Sequence, residues 1–154
     1  MKKSDRIEAL VATLETSATG EGIAGDPHYT GWFTCFNSGH YYEAHDVLEH
    51  LWLRTRDENH AFFKGLIQLA GAFVHLRKQH GRPTHAKDGA RLRPAARLFR
   101  LAQKNLTPFA PHHLRLDVTA ACQLCEDHER KIEAANFQKN PWSPDSRPRL
   151  ALTP

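Results

Sequence analysis

Apolar residues recur at helical spacing along most of the chain. Ile7, Leu10, Val11 and Leu14 stand at i, i+3, i+4 and i+7 behind Ser4, a good N-cap, and predict an amphipathic helix over residues 5–15. After a loop, a short helix is expected from Thr30 to Asn37, stopped by Gly39, whose missing Cβ tolerates the left-handed turn at a helix C-terminus. A third helix starts near Tyr41 with Ala44, Val47, Leu48 and Leu51 as its apolar stripe, and Arg54–Asn59 follows as a polar loop. The next helix, about Ala61 to Gln79, is apolar around most of its girth (Phe62, Phe63, Leu66, Ile67, Leu69, Phe73, Val74, Leu76) and should be the central, buried one.

Beyond a polar stretch from Gln79 to Lys87, a further helical pattern runs from Asp88 to Asn105 with Leu92, Ala95, Ala96, Phe99 and Ala102 inward. Pro94 interrupts it and predicts a kink or a restart, because proline lacks the backbone donor and crowds the preceding turn. Asp117 is suited to cap a last helix reaching about Asn136, with Val118, Ala121, Cys122, Cys125 and Ile132 inward. No segment alternates apolar and polar residues as a strand does. The expectation is an all-α, single-domain bundle of about five helices with two central antiparallel helices.

Residues 1–29 read as an N-terminal helix and linker, 30–136 as the bundle core, and 137–154 as an extended tail with prolines at 141, 144, 148 and 154, either loose or strapped on by Trp142 and Leu150. Within the linker, GEGIAG (Gly20–Gly25) matches a dinucleotide-binding pattern, but that pattern needs a preceding strand and a receiving helix N-terminus. A helix precedes it here, so a linker is the better reading. The chain has no apolar run near the ~20 residues a membrane helix requires, and Asp5, Arg6 and Glu8 break any signal-peptide core. A cytoplasmic protein without membrane association is expected, its three cysteines reduced.

Charge is unevenly spread. From Arg77 to Arg115 ten Lys/Arg face Asp88 alone, a net +9 in a chain whose total is +4. Arg93, Arg97, Arg100 and Lys104 make a basic stripe on one helix face, which could neutralise nucleic-acid phosphates or meet an acidic partner. No recognition-helix signature or run of stacking aromatics accompanies it, and a solvated arginine face is the simpler account.

The chemistry-bearing residues concentrate in the two central helices. On a wheel of about 100° per residue, Asp46 points away from the apolar stripe into solvent, whereas His45, Glu49 and Trp52 form one ridge at i, i+4 and i+7, with Glu43 at the other border. Lys64, Gln68 and His75 form a polar ridge on the otherwise apolar helix, with Gly71 and Ala72 beside them. Folding the chain near residue 57 brings positions whose numbers sum to roughly 114 level with each other. Lys64 would then lie beside Glu49, Gln68 beside His45, and His75 near Tyr41 and Glu43. A partly buried network of Glu43, His45, Glu49, Lys64, Gln68 and His75 is therefore expected, since polar groups on a buried helix need partners.

At this point the motifs acquire a family likeness. FNSGHYYEAHDVLEHLW, followed by KGLIQLA, His75-Leu76 and Gly89-Ala90-Arg91-Leu92, resembles the bacterial and archaeal family catalogued as domain of unknown function 309, over roughly residues 30 to 135. Phe36, Asn37, Gly39, Glu43, His45, Leu48, Glu49, Trp52, Lys64, Gly65, Gln68 and His75 stand where that family's signature has them. The resemblance implies an all-helical fold and supplies no activity. QHGRPTHAKDGA is longer than the family's short Gly-Asn turn, and Pro94 is a further departure.

Two readings of this protein stay open. In one, the seam is a small polar-ligand or acid/base site: Glu43, His45 and Glu49 are the catalytic candidates, and Lys64, Gln68, His75 and Trp52 bind, with Lys64 holding an anion. In the other, the protein is a non-catalytic interaction module in which the same residues only set helix register. The candidate cofactor is a divalent metal held by His45, Glu49 and His75, although His75 lies ~9 Å along the axis from the level of His45. Cys122-x-x-Cys125-x-x-His128 has zinc-like spacing, but both cysteines fall on the core stripe and read as apolar filler, and His112-His113 reads as surface. Oligomeric state is not legible.

Overall fold

The computed structural model describes Ile7 and residues 22–154. Most of the helix expected over residues 5–15 and the first part of GEGIAG lie outside the described residues; Ile7 itself is helical and buried in the core. Among the described residues there are five α-helices: α1 (Pro27–Asn37), α2 (Tyr41–Arg54), α3 (Asn59–Gly81), α4 (Leu92–Leu106) and α5 (Val118–Ala134). A two-residue ribbon, β1 (His112–His113) with β2 (Leu116–Asp117), is the one sheet among them. The fold is all-α.

Local chemistry explains most helix ends. The Asp26 carboxylate accepts from the His28 amide at 2.8 Å with Pro27 in the first turn, and Asp117 accepts from the Ala120 amide at 2.9 Å. Gly39 takes φ +78° after α1, the left-handed conformation that lets the chain turn sharply into α2. Pro94 falls in the first turn of α4, where the amide it lacks would have had no helical partner. The pattern from Asp88 therefore restarts as a 3-10 turn (Asp88–Ala90) followed by α4. Gly22–Gly25 forms another 3-10 turn leading into α1.

Each helix packs on the next in the chain, and α3 packs most extensively on α4. Phe73, in the middle of α3 and fully buried, joins all five helices. Its ring meets Phe36 of α1 at 5.4 Å, Tyr41 of α2 at 5.2 Å, Phe99 of α4 at 5.1 Å and His128 of α5 at 5.0 Å between centroids. Gly65 gives α4 its close approach: a Cβ there would lie 2.8 Å from Leu106 Cγ.

Residues 137–154 follow the body closely. The Asn37 side chain donates to the Leu150 carbonyl at 2.9 Å and accepts from its amide at 2.8 Å, as a neighbouring strand would. Asn140 Nδ2 donates to the Leu76 carbonyl at 2.7 Å, and the buried Trp142 donates its indole N–H to the Tyr41 hydroxyl at 3.0 Å.

Phe73→Ala should remove the ring shared by four neighbours and lower stability by about 3–5 kcal/mol, read as the denaturation midpoint in urea. A loss below ~1 kcal/mol would show that the helices do not depend on this ring.

Candidate functional site

Two aromatic pairs set the level of α2 against α3: Tyr41 stacks on Phe73, and Trp52 stacks on His60 with centroids 4.9 Å apart. The start of α2 thus meets the end of α3. Arg77 clamps this corner, donating to the Gly39 carbonyl at 2.8 Å, and Arg147 from the tail donates to the Ser38 carbonyl at 2.9 Å. His40, the N-cap of α2, supplies no side-chain cap to the first-turn amides.

A cavity of about 560 Å³ opens at this corner. Tyr41, Tyr42 and Glu43 of the first turn of α2 form one wall, Val74, Arg77, Lys78 and Gly81 of α3 the other, and Arg82 and Asp88 close the end. Arg82 reaches Asp88 Oδ2 at 3.1 Å, and Arg91 reaches Oδ1 at 2.7 Å. The Arg91 hydrogen bond, reinforced by the charges around it, holds the Asp88 carboxyl below its ordinary range. Arg91 also lies 3.0 Å from His75 Nδ1, a contact that requires the unprotonated nitrogen as acceptor. Cys35 is pushed up to about 11 by burial, with the Glu43 charge adding to the effect.

The expected seam between α2 and α3 does not form as drawn. Lys64 is exposed and makes no ion pair with Glu49, and Gln68 Oε1 accepts from Asn105 Nδ2 of α4 at 2.7 Å instead of meeting His45. The ridge of Lys64, Gln68 and His75 runs along the α4 side of α3, where Gly65 and Gly71 admit Leu106 and Leu98. Matching levels along two antiparallel helices left undetermined which face each ridge presents. His75, turned to Arg91, is therefore not a partner of His45 and Glu49.

Asp46 requires a second correction. It is 1% exposed, not solvated, and its Oδ1 lies 3.2 Å from His45 Nδ1, which is also 3.7 Å from Glu49 Oε2. The wheel assumed a single buried face, whereas α2 packs on both α1 and α3 and its burial extends beyond the apolar stripe. His45, Asp46 and Glu49 form the three-donor group of metal-binding type among the described residues. Trp52 sits against His60, not against a ligand-binding polar group.

The weaker motifs resolve as packing. Cys125 is fully buried and its thiol is pushed strongly upward by burial, while the His128 ring packs on Phe73 and Phe99 with Nδ1 2.9 Å from the Leu124 carbonyl. His113 is half-buried, 2.6 Å from Asn59 Oδ1 and packed on Phe62, so the surface reading fails for it. On the basic stripe, Arg93 lies over the Phe137 ring at 4.1 Å, and Arg100 pairs with Glu129 at 2.7 Å and Glu133 at 3.0 Å.

The family model described as Domain of unknown function (DUF309) matches residues 31–86. Over those residues the chain is similar to that family. No curated protein and no solved structure matches the chain. The matched segment carries every residue of the cavity wall except Asp88, and all three of His45, Asp46 and Glu49. Arg77, Lys78 and Arg82 were missed as site residues; their signal was the run of cations at a helix end, counted above only toward net charge. No helix among the described residues is long and apolar enough to cross a membrane.

Burial first, then the charges of Arg91 and Lys78, lowers His75 from 6.5 to about 4. The unfolded chain would take up this proton near pH 6.5 and the folded chain only near 4, so the contribution of neutral His75 is full above 6.5 and declines as pH falls through that window. In NMR titration the His75 ring should stay neutral across most of this range, and Arg91→Met should move its midpoint upward. A midpoint at 6.5 in the unaltered protein would contradict the assignment.

Proposed function

We propose that the protein binds a small anionic molecule in the cavity between the first turn of α2 and the last turns of α3. The observation that carries this reading is the wall of Arg77, Lys78 and Arg82 facing the start of α2 across about 560 Å³, a volume suited to a metabolite-sized ligand. The two carboxylates at the cavity leave its balance positive, and Asp88 is already shared by Arg82 and Arg91. First-turn amides carry the positive end of the helix dipole, which adds to the attraction for an anion. Of the acid/base candidates Glu43, His45 and Glu49, Glu43 lines the cavity, so a proton-transfer role on a bound ligand would fall to Glu43.

The nucleic-acid reading has less support. Arg93 is stacked on Phe137 and Arg100 is neutralised by two glutamates, which leaves Arg97 and Lys104 as the exposed cations of the stripe without a partner of this kind.

Thermal melting with inorganic phosphate, citrate and adenosine monophosphate tests the proposal. At a hundredfold excess over Kd the bound anion stabilises the fold by about 2.7 kcal/mol, a rise in Tm of about 5–10 °C for a domain of this size. Lys78→Glu, an exposed substitution that leaves the Arg77 clamp intact, should abolish the rise. No shift with any of the three anions, or a shift unchanged in Lys78→Glu, would overturn the reading.

A further inference from the structure

We infer that the ligand of the cavity is a small zwitterion, its primary ammonium group held by Glu43 and its phosphate or carboxylate held by Lys78 and Arg77. The inference rests on the anion reading above and adds a second charge to it. It begins with how the lining charges are sorted. Arg77 and Lys78 stand in the last turns of α3, whereas Glu43 stands in the first turn of α2 on the opposite wall. The half-buried Glu43 forms no ion pair with either cation among the described residues. Opposite charges thus face one cavity without meeting.

Helix geometry sets the size of the gap. Tyr41 stacks on Phe73, which fixes one level shared by the two helices. Since the start of α2 meets the end of α3, Glu43 falls level with Gly71, and Lys78 lies ~10 Å further along the axis. Side chains lean toward the N-terminus of their own helix, so Glu43 and Lys78 lean toward each other from the two ends. Two charge-assisted hydrogen bonds of ~2.8 Å within that ~10 Å leave about 4–5 Å between the charged groups of a ligand. A two-carbon linker spans such a distance. Val74 and the Tyr41 ring, its hydroxyl held by the Trp142 indole at 3.0 Å, supply an apolar lining for the linker.

The remaining charges are already committed. Arg82 and Arg91 hold the two oxygens of Asp88 at 3.1 and 2.7 Å, which leaves Glu43 as the carboxylate for an ammonium. Arg77 spends one donor on the Gly39 carbonyl and keeps others for an anion, and Lys78 is exposed. A plain anion bound here is repelled by Glu43 across the cavity, whereas a zwitterion converts that repulsion into attraction. The alternative, a Glu43 that is only solvated, predicts no preference for an added ammonium.

Calorimetry on the full chain at neutral pH compares two pairs that differ in the ammonium group: phosphoethanolamine with ethyl phosphate, and β-alanine with propionate. The ammonium-bearing member of one pair should bind about ten- to a hundredfold more tightly, the effect of a hydrogen bond between charged groups, and the pair that responds tells phosphate from carboxylate. Glu43→Gln should remove this preference while the ammonium-free member binds as well or better, opposite changes that loss of folding does not produce. Equal Kd within both pairs would overturn the zwitterion and leave the anion reading standing, and a preference that persists in Glu43→Gln would also overturn it. If none of the four binds, this inference falls, and the melts with phosphate, citrate and adenosine monophosphate decide separately on the anion reading. The comparison in the unaltered protein holds whether or not Glu43→Gln folds.

Discussion

The arrangement of this protein depends on one buried ring. Phe73 meets an aromatic or imidazole ring from each of the other four helices, all at centroid separations of 5.0–5.4 Å. Aromatic pairs of this kind contribute about 0.5–1.5 kcal/mol beyond their area, and their geometry, edge-on for Phe36, Phe99 and His128 and stacked for Tyr41, restricts helix rotation as well as distance. Because Tyr41 must stack on Phe73, the first turn of α2 is brought beside the last turns of α3. That juxtaposition creates the corner where Arg77 clamps Gly39 and where the cavity opens. The core contact and the proposed binding site therefore share one cause.

Polar pairs then add specificity that the apolar core lacks. Gln68 with Asn105 and His75 with Arg91 tie α3 to α4 and to the turn before it, each along the channel that Gly65 and Gly71 open. Asn37 reads the backbone of Leu150, and Asn140 reads that of Leu76. Half-buried amides and imidazoles lose part of their hydration and are best tolerated when these bonds form, so each pair favours a single register over near neighbours of similar apolar burial. Several of the partners, Arg91, Asn105, Asn140 and Leu150 among them, lie outside residues 31–86. The matched segment carries one half of each pair and depends on the rest of the chain for the other.

What could be read from the sequence follows the range of the interaction. Helix ends are set by groups a few residues apart, and Gly39, Asp117 and Pro94 marked theirs. The level of α2 against α3 was legible too: Tyr41 with Phe73 and Trp52 with His60 are paired close to the expected fold point. Azimuth was not legible, because it is decided by which neighbour fills the space beside small residues. Gly71 was read as leaving room beside the polar ridge, and Leu98 of α4 occupies it. Asp46 failed for a related reason, since an apolar stripe reports one buried face and is silent about a second.

These two errors had opposite consequences for chemistry. Rotating the Lys64, Gln68 and His75 ridge toward α4 dissolved a six-residue network into separate packing pairs, and the cations that line the cavity are Arg77, Lys78 and Arg82. Turning Asp46 inward did the reverse, because it supplied His45 and Glu49 with the third donor that His75, held by a guanidinium, does not provide. A cation beside an imidazole stabilises its neutral form and occupies its acceptor nitrogen, whereas carboxylates beside an imidazole raise the local negative charge that attracts a metal ion. The two histidines were alike in the sequence, half-polar positions on neighbouring helices. The sign of the charge that the fold sets against each one separates a structural histidine from a candidate ligand.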